Sequence, residues 1–252
     1  MTEMTPLQIM SQEWHNIGTT WTRNEDFDRD GYLGIESLWD PKELYHPVPK
    51  ERGKMRWWGN KIDQFQYDEI EGQVEGSISR YNHPQYRRAH TGIRQKIEDI
   101  IGRKLYNTYY YDRFYFPGQK LSNHVDRDAC EISVTMHVSS NLKEPWALWI
   151  KTPDNYSDKK NSHLISKGEN RYIYLGSGDA VLYKGCERPH WRDPMPGLLE
   201  TSLDYTKGNE RKDLYYHQIF FHYVLQDGER AHCAWDMLDN YKYCLGEVKY
   251  KL

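Results

Sequence analysis

The chain has 252 residues, a net charge of -3 and four cysteines, enough length for one large domain or two small ones. The charge offers no global basic field for nucleic acid, no apolar run reaches the roughly 18 residues of a spanning helix, and Cys130, Cys186, Cys233 and Cys244 lack any C-x-x-C spacing, which excludes a zinc site or disulfide framework. Only 38% of residues are hydrophobic while 14% are aromatic, so Tyr, Trp and Phe must supply much of the buried area, a composition that suits a β-rich domain.

In chain order, Thr5-Pro6-Leu7-Gln8 reads as a helix start. Leu7, Met10, Trp14 and Ile17 then share one face, and Gly18 ends it. Asp26, Asp28, Asp30 and Gly31 match the early positions of a calcium-binding EF-hand loop, but the twelfth position is Ser37 instead of a bidentate Glu. The segment reads as an acidic turn into a strand, Tyr32 to Ile35. From Pro41 to Gln64 a Pro-, Trp- and charge-rich stretch reads as loop, with Met55 to Trp58 plugging the end of a barrel. Ile93, Ile97, Ile100, Ile101 and Leu105 keep helical spacing, with Thr91 as a possible cap and Gly102 near the end. Arg94, Lys96, Glu98 and Asp99 form the solvated face.

From Tyr106 the pattern turns to strands. Tyr106 to Tyr115 is β-prone and stops at Pro117-Gly118. Glu131 to Ser139 alternates, with Ile132, Val134, Met136 and Val138 on one face and Glu131, Ser133, Thr135 and His137 on the other. Further strands are expected at Pro145 to Lys151, Arg171 to Leu175, Ala180 to Tyr183 and Leu214 to Val224, the last giving the longest strand signal. Polar loops are expected at Asp154 to Asn170 and Asp193 to Lys212. The tail from Gln226 carries a short helix near Ala234 to Tyr243. Helices in the first hundred residues followed by strands argue for an α+β unit built on an antiparallel sandwich or barrel.

The chemistry centres on His124-Val125-Asp126. Residues two apart on a strand share a face, so a His-x-Asp at a strand end offers an imidazole nitrogen and a carboxylate oxygen to one metal ion. His190 as a third ligand completes a 2-His-1-carboxylate set with open positions, the arrangement of non-haem Fe(II) oxygenases.

The segment Tyr115, Gly118, Gln119, His124, Asp126 has the spacing Tyr-x-x-Gly-Gln-x-x-x-x-His-x-Asp. It is followed by a Gly178-Asp179 turn into a strand and by a distal His190. In this it resembles the Fe(II)/2-oxoglutarate-dependent dioxygenases, specifically their prolyl-4-hydroxylase-like branch, over about Tyr109 to Val224. The resemblance implies a double-stranded β-helix (jelly-roll) core with supporting N-terminal helices. It implies one oxygenase domain over 1–252, with support in 1–105, the core in 106–225 and an extension in 226–252. It further implies Fe(II) on His124, Asp126 and His190, with 2-oxoglutarate and O2 as cosubstrates and with hydroxylation of a C–H bond accompanied by release of succinate and CO2. Asp126 occupies the position at which a small residue would admit a halide, so hydroxylation is favoured over halogenation.

One departure concerns the cosubstrate. The family places an Arg or Lys about ten residues beyond the distal His, on the last strand, but Glu200 stands there and Leu214 to Val224 contains neither Arg nor Lys. Arg192 is the substitute, two residues past His190, its fork suited to a carboxylate, with Lys151 and Gln218 behind it. A salt bridge from Arg192 to Asp193 or Asp179 is the competing role. The resemblance assigns Tyr115 a hydroxyl contact to 2-oxoglutarate, against a role as buried core tyrosine. Arg113, Asp128, Glu131 and Trp146 are candidates for the substrate mouth, and His217 and His222 read as hydrogen-bonded structural residues. The substrate is a protein or peptide side chain or an amino-acid-like small molecule, with no nucleic acid or membrane partner. The N-terminus shows no signal-peptide pattern, so a cytoplasmic setting is expected. Two alternatives stand beside the oxygenase: a non-catalytic jelly-roll binding module, and a cupin-type metal enzyme that does not use 2-oxoglutarate.

Overall fold

The computed structural model describes residues 24–48, 56–57, 64–67, 73–74, 76–154, 168–197 and 214–236. Two antiparallel sheets carry the fold. The larger contains β1 (Tyr32–Ile35), β10 (Ala180–Lys184), β7 (Ile132–Ser140), β12 (Tyr216–Leu225), β5 (Leu105–Tyr115), β4 (Ile78–Tyr81), β3 (Gln64–Tyr67) and β2 (Arg56–Trp57), in that spatial order. The smaller runs β6 (Leu121–His124), β11 (His190–Arg192), β8 (Leu148–Lys151), β9 (Asn170–Ile173). Strands β5 to β8 alternate between the sheets, β8 and β9 pair within the smaller one, and β10 to β12 alternate again, the winding of a double-stranded β-helix, while β1 and β2 to β4 widen the larger sheet at its two edges.

The central strands are buried on both faces. On β7, Ile132, Val134, Met136 and Val138 join the main apolar cluster with Ile93, Ile97 and Ile101. Ser133 and Thr135 on the opposite face reach Asp126 and Tyr183. The expected alternation of β7 is therefore present, but its polar face is closed off by the smaller sheet instead of solvated. β5 alternates likewise. Tyr110 packs edge-on to His90 at 4.9 Å on the outer face, and Tyr115 meets Trp146 at 5.1 Å between the sheets.

One helix covers the outer face. It runs Arg87–Ile101 and buries Ala89, His90, Ile93, Ile97 and Ile101. Each fully buried isoleucine contributes about 1.5–3 kcal/mol of transfer free energy. The helix ends at Gly102, whose φ of 65° is left-handed and whose N–H returns to the Glu98 carbonyl at 2.9 Å. It begins four residues before Thr91, which lies inside it. A single 3-10 turn at Pro84–Tyr86 feeds it, so proline in the first turn replaces a threonine cap.

Other expectations are corrected. Asn24–Asp30 is a short helix, not an acidic turn, although the strand after it is where the sequence puts it. Within the presumed loop after Pro41, Pro41–Leu44 is a helical turn capped by the Asp40 carboxylate, which accepts the Lys42 N–H at 2.9 Å. Arg56–Trp57 pairs with Gln64–Phe65 as a sheet edge, while Met55 and Trp58 lie outside the described residues. β8 starts at Leu148, three residues later than expected from Pro145. β5, with 11 residues, exceeds β12, with 10, in length. In the tail a 3-10 helix occupies Glu229–Cys233, ahead of the expected helix, most of which lies outside the described residues. The expected helix at Thr5 to Ile17 and most of both polar loops also lie outside them. Among the described residues no helix is long and apolar enough to cross a membrane. Cys130, Cys186 and Cys233 are free thiols.

Candidate metal centre

β6 ends at His124, so Val125 turns outward, 49% exposed, and Asp126 returns to the face of His124. The Asp126 N–H is held by the Gly185 carbonyl at 2.9 Å, which fixes the chain just past the strand. β11 pairs antiparallel with β6, and the register sets His190 directly opposite His124. Their ring centroids are 4.3 Å apart. Nε2 of His124 and Nε2 of His190 each lie 3.6 Å from Oδ1 of Asp126.

The tautomers follow from the other ring nitrogen. Nδ1 of His124 lies 2.8 Å from the Ser122 carbonyl and Nδ1 of His190 lies 3.0 Å from the Arg188 carbonyl. A carbonyl only accepts, so both Nδ1 atoms donate, and in the neutral rings both Nε2 atoms keep their lone pairs. Burial works against the Asp126 carboxylate, but the imidazoles of His190 and His124 hold it well below the usual carboxylate range. Burial lowers the pKa of His190. Burial also opposes charge on His124, where the Asp126 carboxylate outweighs it and the pKa rises. The result is an ionised oxygen between two nitrogen lone pairs, within 4.8 Å of one another. This donor set fits a divalent first-row metal, and Fe(II) in particular.

The interior behind these residues collects the other candidates. Arg192, 1% exposed, donates from NH1 to the Trp146 carbonyl and from NH2 to Oε1 of Gln218, both at 2.8 Å. Its guanidinium lies 4.6 Å from the Trp146 ring and 4.8 Å from the Tyr216 ring. Among the described residues its Nε has no partner and no carboxylate pairs with it. The competing salt bridges are not formed: Asp179 instead accepts the Ser37 and Gly176 amides, at 2.9 and 2.7 Å. Gln218 Nε2 reaches the Tyr115 hydroxyl at 3.5 Å, and Arg113 NH1 reaches the same hydroxyl at 3.4 Å. Tyr115 is thus buried with side-chain partners, not the backbone partner of a core tyrosine. Arg113 also donates to Gln73 Oε1 at 2.8 Å, and Gln73 Nε2 stands 3.4 Å from Nε2 of His124.

Three candidates lie elsewhere. Asp128 accepts from Arg230 at 3.0 Å, and Glu131 accepts the Leu225 N–H at 2.8 Å with Arg230 at 3.7 Å, so both tie down the segment after β12. Lys151 pairs with the exposed Asp154 at 3.0 Å. His217 sits on the outer face of β12, its Nε2 2.7 Å from the Asp112 carboxylate, which Arg80 and Tyr86 also bind. His222 faces inward, with Nδ1 2.9 Å from Oγ of Ser133, and Ser133 reaches Oδ2 of Asp126 at 2.9 Å. Sequence reasoning did not connect Ser133 or His222 to the centre. The available signal was parity: Ser133 lies on the non-apolar face of β7, and His222 shares the parity of Gln218 on β12.

No family profile matches the sequence, and no curated protein is similar to it. Solved structures are similar to the fold. An oxidoreductase of the 2OG-Fe(II) oxygenase family from Burkholderia pseudomallei superposes with a TM-score of 0.50 at 9% identity, over 80% of this chain and 88% of that one. HygX from Streptomyces hygroscopicus, with nickel, 2-oxoglutarate and hygromycin B bound, gives 0.48 at 12% identity, over 80% and 85%. A prolyl-4-hydroxylase from Pseudomonas putida gives 0.45 at 13% identity, over 79% and 96%. The likeness to the Burkholderia protein shows the fold, a double-stranded β-helix.

Proposed function

We propose that this chain is an Fe(II)- and 2-oxoglutarate-dependent dioxygenase that hydroxylates a C–H bond of an amino acid or of a protein or peptide side chain, releasing succinate and CO2. The observation that supports this most is the convergence of two Nε2 lone pairs and one carboxylate oxygen, both Nδ1 atoms being committed to backbone carbonyls. Such a set on three residues leaves positions for exchangeable ligands. Fe(II) bound there supplies activation of O2 and oxidative decarboxylation of the 2-oxo acid, which no side chain can perform.

The protein's own residues bind and orient. His124 and Asp126 approach from β6, and His190 from the buried side on β11. Arg192 is a buried cation with no counter-ion among the described residues, an arrangement that costs several kcal/mol until an anion meets it. The far carboxylate of 2-oxoglutarate is that anion, received by Arg192 together with the amide of Gln218 and the hydroxyl of Tyr115. Trp146 and Tyr216 close over the guanidinium and keep water from it. The substrate approaches from the side of His124, where Val125 and Gln73 face solvent.

The test is aerobic incubation with Fe(II) and 2-oxoglutarate against peptide and amino-acid libraries, with mass detection of succinate and of products heavier by one oxygen. Succinate that requires 2-oxoglutarate, Fe(II) and His190 supports the reading. Metal-dependent oxidation that proceeds without 2-oxoglutarate returns the cupin-type alternative, and the absence of any turnover returns the binding module.

A further inference from the structure

Asp126 has two carboxylate oxygens, and the structure uses them differently. Oδ1 faces both imidazoles, whereas Oδ2 is turned away and accepts the Ser133 hydroxyl at 2.9 Å. Beside the Tyr183 hydroxyl, that hydroxyl has three neighbours for its one proton: Oδ2, the Cys130 carbonyl at 3.1 Å and Nδ1 of His222 at 2.9 Å. An ionised carboxylate is the strongest acceptor of the three, so the proton goes to Oδ2. The Ser133 oxygen is then an acceptor, which His222 fills by donating from Nδ1. All three groups come from different parts of the chain: Asp126 from beyond β6, Ser133 from β7 and His222 from β12.

The surroundings leave this chain of donors little freedom. Ser133 is fully buried and His222 is 2% exposed. The His222 ring lies 4.7 Å from the Tyr109 ring and 5.9 Å from the Tyr111 ring. On the other side of the carboxylate stands Gly185. A Cβ there would come within 2.5 Å of Oδ2 and 2.6 Å of the Ser133 oxygen, closer than side chains approach. Glycine at this position lets the backbone touch both groups at once, and its carbonyl also holds the Asp126 N–H.

We infer that His222, Ser133 and Gly185 form a brace that binds Oδ2 of Asp126 and so presents Oδ1 alone to the metal. Ser133 and His222 are positioning residues, acting through Asp126 and not on substrate. This rests on the metal-centre reading above. Without the brace the carboxylate rotates about its Cβ–Cγ bond, and metal affinity falls by the roughly 10- to 100-fold typical of lost outer hydrogen bonds to metal ligands.

The experiment titrates Co(II) into the purified full chain and follows its visible absorption, which reads affinity and coordination without turnover. Wild type binds Co(II), and Ser133→Ala binds roughly 10- to 100-fold more weakly with an altered band shape. His222→Phe keeps the ring packing and weakens binding, and His222→Asn, whose amide N–H stands near the place of Nδ1, restores much of it. Thr108→Ala is the structural control: it deletes another buried hydroxyl, bonded to the Ala129 carbonyl at 2.7 Å, and leaves Co(II) affinity unchanged. Wild-type affinity and band shape in Ser133→Ala overturn the brace. Should Ser133→Ala not fold, equal affinity in His222→Phe and His222→Asn does the same. Failure of wild type itself to bind Co(II) overturns the metal-centre reading on which the brace depends.

Discussion

Arg192 and Gln218 meet at 2.8 Å across the interior, one from the smaller sheet and one from the larger. The contact joins the only cation that β11 offers to the last strand, which contains no cation of its own. It therefore holds a guanidinium between the sheets. A bulge on β6, where Ser122 and Asn123 lie opposite Trp191 alone, shifts the register between His190 and Arg192.

Arg192→Ala should raise the KM for 2-oxoglutarate roughly 10- to 200-fold, as expected for losing ~1.5–3 kcal/mol from a charge-assisted pair. Arg192→Lys should recover part of this, because an ammonium lacks the planar fork. Metal affinity should change little. Kinetics of Arg192→Ala, Gln218→Ala and Lys151→Ala in parallel decide it; an unchanged KM in the first with a large rise in either of the others moves the anchor.

His124→Ala, Asp126→Ala and His190→Ala should each abolish Fe(II)-dependent turnover, but they should differ in stability. His190 is 2% exposed and packs 4.7 Å from the Tyr183 ring, while His124 is partly open to solvent. Metal-free His190→Ala should lose about 1–3 kcal/mol and His124→Ala roughly 0.5 kcal/mol or less. Urea melts of the two proteins would show equal losses if the burial argument is wrong.

Stability should fall in mild acid. Burial holds His90 neutral, its pKa lowered from 6.5 to about 3, and burial with the nearby Arg192 lowers His137 to about 4. The unfolded chain takes up these protons below 6.5 and the folded protein does not. Each group's stabilisation is therefore whole above pH 6.5 and declines by up to about 1.4 kcal/mol per pH unit until the folded pKa is reached. Asp112 adds a second decline below its ordinary value of 3.8: despite burial, Arg80 and His217 hold it well below that. Urea-unfolding free energies at pH 7, 6 and 5 that stay level would count against neutral buried histidines.

Calcium should not stabilise the protein. Asp26 and Asp30 are already paired with Arg29, at 3.0 and 2.8 Å, inside a helix and not an ion-binding loop. A rise of several degrees in melting temperature with millimolar calcium, lost in Asp28→Ala, would show that the segment rearranges to bind the ion.

What the sequence determined by itself is what depends on near neighbours. The two-residue period of Ile132 to Val138 and the helical spacing of Ile93, Ile97 and Ile101 each appear as buried faces, because side-chain direction repeats along a strand or helix without reference to the rest of the chain. His124 and Asp126 fall on one side of a strand end for the same reason. The helix start at Arg87 was not legible, since a proline turn upstream took the place of the expected cap. Tertiary structure alone decided which distant strands lie side by side and in what register. That choice sets His190 opposite His124, Arg192 against Gln218, and Ser133 between Asp126 and His222. Pairing by one residue more or less would turn each of these side chains to the other face, and no local pattern carries that information.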